Sequence, residues 1–414
     1  MRHLVAPLLV VPLLLVAPAP AAHAAGTCQG LPATIESAGG GTVTGTEGPD
    51  VILVTAAADV VALGGDDTIC VAGGTLDAGA GNDRVSAAGV HGQTAVLGQG
   101  DDTYVSAGLT DLVDPDEGDS AGTDHIDTNE GLYDEVGSGV AGEPNHDVIS
   151  MDYGTVHLQA PAGSGAQLEG RPGLELEPED AASYVVDITA GTIKRDGTSV
   201  AAFSDLSGFL EVSGRRARFT VHGSDHSDSV SVRRAAAFRA DLGGAADSLY
   251  LYPGSPRKGR VDGGSGGNWL LVRAKDSAVG DLSRHTLTLT SKGKVSRWTV
   301  SKFANMDVAA LRIDIRGSAA VNGINGFGCD VTLHGLGGKD HLYMGVVQRG
   351  WPPARRCPGG ERGQRGHLYG DGANDELRGG NGPDVLVGGP GDDLADGNGG
   401  ADHCEAEQKQ SCES

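Results

Sequence analysis

The feature that most constrains this chain is a phase. Asp375, Asp384, Asp393 and Asp402 follow one another at steps of nine residues, each inside a glycine-rich stretch: "GDGANDEL", "GGNGPDVLV", "GGPGDDLAD" and "GNGGADHCE". A disordered acidic linker has no reason to keep a phase, so the spacing points to a repeated backbone shape. Each unit reads as a tight loop followed by a short strand. Glycine permits the positive φ such a loop needs, and the apolar residue after the aspartate points inward. Two units make one turn of a flat, two-faced solenoid of about eighteen residues, with strands of successive turns parallel and side by side. In that geometry Asp375 stacks on Asp393 along one edge, and Asp384 on Asp402 along the other.

The unit returns upstream at about twice the interval. Asp50, Asp67, Asp83 and Asp102 each precede an apolar residue by two positions (Ile52, Ile69, Val85, Tyr104), and Asp124 and Asp147 continue the series. This spacing fits the same coil with one edge decorated per turn. The centre, 155–335, is more decayed: Asp228, Asp247 and Asn268 read there as loop-capping positions, and Asp340 restores the pattern. Residues 285–300 alternate around Lys292-Gly293 and predict a strand, a turn and a strand. The arginine-rich stretch 348–366 reads as a solvated inserted loop. The expected organisation is a leader at 1–24, an N-terminal array at 25–154, a degenerate all-β solenoid at 155–335, and a C-terminal nonapeptide array at 336–414.

Columns of carboxylates at the spacing of adjacent strands, about 4.8 Å, repel one another unless a cation lies between them. Calcium accepts six to eight oxygens in a flexible shell, whereas magnesium holds to a small octahedron and keeps its waters. Transition metals favour His or Cys, which these loops lack. The candidate ligands are Asp375, Asp384, Asp393 and Asp402, with the loop positions Gly379, Asn381, Gly388, Pro390, Gly397 and Gly399 supplying carbonyls. Asp340, Asp50, Asp67, Asp83, Asp102 and Asp124 extend the set upstream.

These residues resemble the hemolysin-type calcium-binding repeat, the RTX nonapeptide G-G-x-G-x-D followed by x, a large apolar residue and x. "GGNGPDVLV" matches at every defined position. The next copy has Ala395 at the apolar site, "GDGANDEL" lacks the glycine two before Asp375, and Asn398 fills a glycine slot. The clear match spans about 370–403, the spread-out one about 45–150, and the centre is loose. The resemblance implies an all-β parallel β-roll held by Ca2+. The family's usual uncleaved C-terminal export signal is not carried over, because this chain starts differently.

Arg2, an apolar run broken by four prolines, and Ala22-His23-Ala24 fit a cleaved export leader, so an extracellular location is expected. Six cysteines then imply disulfides, paired by order along the chain as 28–70, 329–357 and 404–412. The net charge of −24 argues against nucleic acid or an anionic membrane as partner. A cell-wall or matrix polymer is retained as a candidate partner. Aromatics are only 4%, which argues against a thick core. No H-E-x-x-H is present, and the G-x-S-x-G stretches around Ser120 and Ser265 fall inside repeat units rather than at a strand-to-helix elbow. The chain therefore reads as a secreted, non-enzymatic calcium-binding solenoid with a structural or adhesive role. The alternative is an enzyme acting on an extracellular polysaccharide through the central segment.

Overall fold

The computed structural model describes residues 26–89, 92–108, 110–114, 122–129, 133–138, 146–158, 165–178, 180–206, 209–254, 256–345, 357–358 and 360–413. The expected leader, Ser120, and residues 348–356 of the arginine-rich stretch lie outside them. The strands coil into a parallel β-solenoid of about 17 turns. One face begins with Ile35–Ser37, Val51–Val54, Thr68–Val71 and Arg84–Ala87; the other with Thr42–Thr44, Ala58–Val61, Gly74–Asp77 and Gln93–Val96. Each strand pairs in parallel with the strand one turn on. On the first face Ile52 sits beside Ile69, Ile69 beside Val85, and Val85 beside Tyr104. The tail keeps this order: Leu368, Leu386 and Cys404 stack on the first face, and Leu342, Leu377 and Ala395 on the second.

The core follows from the period. The residue two after each repeat aspartate faces inward, and Ile52, Ile69, Tyr104, Ile126, Ile149, Leu377, Leu386, Ala395 and Cys404 are fully buried. Each turn thus adds one or two side chains per face to a single apolar column. Burying one such Leu or Ile contributes roughly 1.5–3 kcal/mol. Length therefore replaces thickness, which is how a chain so poor in aromatics builds a core.

The centre departs from simple coiling. Two 15-residue strands, Leu210–Ser224 and Ser229–Gly243, cross from one face to the other. Two antiparallel meanders add strands to the first face only: Ser183–Asp187, Thr192–Arg195 and Thr198–Phe203, then Ser277–Asp281, Thr286–Ser291 and Lys294–Ser301. Parallel neighbours flank each meander. The second meander turns at Lys292-Gly293, with φ of 51° and 73° and Ser291 opposite Lys294. This is the expected strand, turn and strand, with two left-handed residues matching the twist of the flanking strands.

The arginine-rich insertion ends earlier than the sequence suggests. Gly360–Gly363 forms a short 3-10 turn, the only helical element among the described residues, and Arg365–Tyr369 is already a solenoid strand beside Asp330–Leu336. The disulfides are Cys28–Cys70, Cys329–Cys357 and Cys404–Cys412, as their order along the chain suggests. Cys404 takes an inward apolar position, and its bond to Cys412 closes the C-terminal end. Among the described residues no helix is long and apolar enough to cross a membrane.

Candidate metal centre

Every repeat aspartate immediately precedes a strand and turns its carboxylate inward, under its own loop. Within each column one oxygen accepts a backbone N–H from the rung one turn earlier, an aspartate at most rungs, Asn322 for Asp340 and Gly366 for Asp384. Asp50, Asp67, Asp83 and Asp102 donate to Oδ1 of Asp67, Asp83, Asp102 and Asp124 at 2.7, 2.9, 2.7 and 2.8 Å. Asp124 continues to Asp147 at 3.2 Å. In the tail Asp340 donates to Asp375 and Asp375 to Asp393, both at 2.7 Å, while Asp384 donates to Asp402 at 2.9 Å. The expected stacking of 375 on 393 and 384 on 402 is therefore present. At the C-terminal end glutamates stand in for the next rung: Glu407 accepts from Asp393, and Glu413 from Asp402.

The second oxygen separates the rungs into kinds. Asp50 Oδ2 accepts from Thr46, Asp111 Oδ2 from the Tyr104 hydroxyl, and Asp147 Oδ2 from Ser138. Asp384, in the copy closest to the repeat consensus, is also satisfied, by Gly366 and Gly380 N–H at 2.5 and 2.6 Å. Oδ2 of Asp67, Asp83, Asp102, Asp247, Asp340, Asp375, Asp393 and Asp402 is buried with no hydrogen-bond donor. Burial pushes Asp83 and Asp340 up to about 7, and Asp67, Asp102, Asp247 and Asp375 up to about 6. The N–H donated from the preceding rung offsets part of that rise, and neighbouring aspartates add to it at most of these rungs.

The surroundings of those oxygens fit a hard cation. A Cβ on Gly370 would overlap both Asp375 Oδ2 and the Gly388 carbonyl oxygen; on Gly397 it would overlap Asp402 Oδ2 and Ser411 O; on Gly335, Asp340 Oδ2 and Gly370 O. Two acceptors thus converge on one glycine with no donor between them. Asn268 shows the neutral counterpart. Its Oδ1 accepts the Asp247 N–H at 2.9 Å, and its Nδ2 donates to Gly263 O at 2.7 Å and Lys302 O at 3.0 Å. Where asparagine brings a donor, aspartate leaves acceptors facing acceptors. No three His, Cys, Asp or Glu side chains gather around one point among the described residues, so an ion here takes loop carbonyls beside one or two carboxylates. That donor set suits calcium and not zinc.

The loops share a backbone that turns such carbonyls. Left-handed φ recurs four and two residues before the aspartate, at Gly79 (98°) and Gly81 (137°) before Asp83, and at Asn398 (61°) and Gly400 (143°) before Asp402. Among the expected loop positions, Gly379, Gly388 and Gly397 lie directly against the carboxylates of Asp384, Asp393 and Asp402. Asn381 and Gly399 line an open groove with Arg362. The carbonyls of Gly379 and Pro390 already accept from Asn398 and the Ala373 N–H.

Three features differ from the sequence reading. The second edge upstream is also decorated, by Gln93, Asp111 and Asp134, linked through N–H to Oδ1 bonds of 2.8 Å. "LTDLV" and "YDEV" carried that signal. Asp228 and Asn268 cap their loops as expected, Asp228 accepting the Ser224 N–H at 2.7 Å and Asn268 donating to Gly263 O at 2.7 Å, and with Asp247 they are in addition linked through N–H to Oδ1 bonds as in the tail. The residue before the aspartate builds an outer ladder through Asp66, Asn82 and Asp101, announced by the doublets "GGDD" and "GQGDD". Ser265 sits in an exposed loop followed by the strand Trp269–Arg273, not by a helix.

Fold and site together define a parallel β-solenoid whose edges carry columns of cation-seeking carboxylates. The family model for the RTX calcium-binding nonapeptide repeat matches the chain in four copies, at residues 37–70 and 369–404. The matched segments lie in the N-terminal and C-terminal parts of the solenoid. No curated protein matches the chain.

Proposed function

We propose that this chain is exported and works outside the cell as a calcium-locked structural or adhesive solenoid, without a catalytic site. The observation that carries the reading is the set of buried Oδ2 atoms that meet no donor, on both sides of the degenerate centre. Unliganded, these columns repel and loosen the roll. Calcium at extracellular, millimolar levels neutralises them, and because the unfolded chain lacks the site, binding drives folding. Three disulfides and the leader-like N-terminus support export. Circular dichroism and melting with calcium, magnesium or a chelator test the proposal. Calcium raises β-signal and melting temperature, magnesium less; superimposable curves would refute it.

A second reading, a polysaccharide-active enzyme, rests on Glu175 and Glu211. Parallel register sets them side by side on the second face. Glu211 is buried, bonded to Ser231 at 2.9 Å and ion-paired with Arg233, and Glu175 pairs with His157. Release of new chain ends from an acidic polysaccharide, abolished in Glu211→Gln, would favour it.

A further inference from the structure

The net charge conceals a segregation. Residues 210–318 hold 18 Lys and Arg against 10 Asp and Glu, while the rest of the chain holds 13 against 45. The excess is concentrated on the first sheet face of the centre. Arg218, Arg239, Lys258, Arg260 and Arg297 are all exposed. They stand on four neighbouring parallel strands, Leu210–Ser224, Ser229–Gly243, Lys258–Asp262 and Lys294–Ser301. Register sets Arg239 beside Arg260 and Lys258 beside Arg297, at a strand spacing of about 4.8 Å. None of the five forms a salt bridge among the described residues. On this face the acids of these strands lie at the edge, where Asp241 stands beside Asp262 and Asp262 is held by Lys302 at 3.0 Å.

Like charges directly opposite on adjacent strands are destabilising. The fold does not require them, because Phe219, Phe238, Val261 and Trp298 hold the same strands from inside. We propose that this flat face binds a linear polyanionic polysaccharide through its sulfate or carboxylate groups. One or two cations on each of four adjacent strands suit an extended polymer with a charge on each sugar-sized step. Single-stranded nucleic acid fits worse, since it needs exposed aromatic platforms. Here the intervening outward residues are Thr220, Ala237 and Thr299, and the aromatics face in. Recognition by this face does not depend on calcium in the loops.

The test measures binding of the full protein to dextran sulfate and hyaluronate, with neutral dextran and a single-stranded oligonucleotide as comparisons, over a series of salt concentrations. Binding to the charged glycans alone is expected. Arg239→Thr with Arg260→Thr should weaken it at least tenfold, with a melting temperature no lower than that of wild type, and lower the slope of log affinity against log salt by about two. Arg355→Ser with Arg356→Ser, in the insertion, should leave binding intact. The proposal is overturned if the paired variant binds normally, or if neutral dextran or the oligonucleotide binds as well. It is also overturned if the same variant instead abolishes self-association seen by sedimentation, which would make the acidic arms of a second copy the partner.

Discussion

Asp375 offers a quantitative test of the carboxylate columns. Its Oδ1 accepts the Asp340 N–H at 2.7 Å, while its Oδ2 is buried beside the Gly388 carbonyl with no donor. Burial lifts its pKa from 3.8 to about 6, a shift that disfavours the ionised form by about 3 kcal/mol. The folded pKa is the higher one, so this group's contribution is fully present below pH 3.8 and lost as pH rises through 6. Asp375→Asn keeps the Oδ1 acceptor and replaces the orphan oxygen by a donor, as Asn268 does naturally. In chelator at about pH 7.5 this variant should be more stable than wild type, by up to about 3 kcal/mol, and the advantage should vanish near pH 4. Asp375→Ala removes the acceptor too and should cost about 1–3 kcal/mol relative to Asp375→Asn. In roughly 10 mM calcium that advantage should shrink towards zero, because only wild type keeps the ligand. A site of about 0.1–1 mM affinity then adds about 1.4–2.7 kcal/mol. Chemical denaturation with hydrogen exchange on Leu377 and Ala395 reads all three. If Asp375→Asn and Asp375→Ala are equally destabilised in chelator, Oδ2 is not an orphan and the cation columns lose their basis.

Without metal, melting temperature should fall as pH rises from about 4 to 8, because Asp83, Asp340 and their neighbours carry raised pKa values; calcium should flatten that profile, and a chelated protein insensitive to pH would contradict it. Gly388→Ala drives a Cβ into the Asp393 carboxylate and should cost about 1–3 kcal/mol and weaken calcium binding, whereas Gly267→Ala, with open space at that point, should change neither. Cys412→Ser opens the bridge that closes the C-terminal end and should cost roughly 2–3 kcal/mol. Hydrogen exchange should localise that loss to Gln408–Gln410 and its neighbour Leu394–Asp396.

Much of the site was legible because its information is periodic. The position of each aspartate before its strand, the inward residue two places on, and the partner one turn away all follow from counting. The second-edge aspartates Asp111 and Asp134 were equally legible, but their loops carry few glycines and hide the motif. The basic face was not visible in the total charge. Its members are scattered over about eighty residues, and only parallel register brings Arg239 to Arg260.

By itself the sequence determined a two-faced parallel solenoid with glycine-shaped loops and carboxylates in columns. The reason is that a constant period places equivalent residues at equivalent points of every turn. The tertiary structure alone decided what each second carboxylate oxygen meets. Tyr104, Ser138, Thr46 or a loop N–H satisfies some of them, while Asp375 and Asp402 are left facing another acceptor. Thr46 and Gly380 donate from the aspartate's own loop, four residues before it, whereas Tyr104, Ser138 and the facing carbonyls come from neighbouring strands and turns, which are adjacent in space and carry no signal in the repeat.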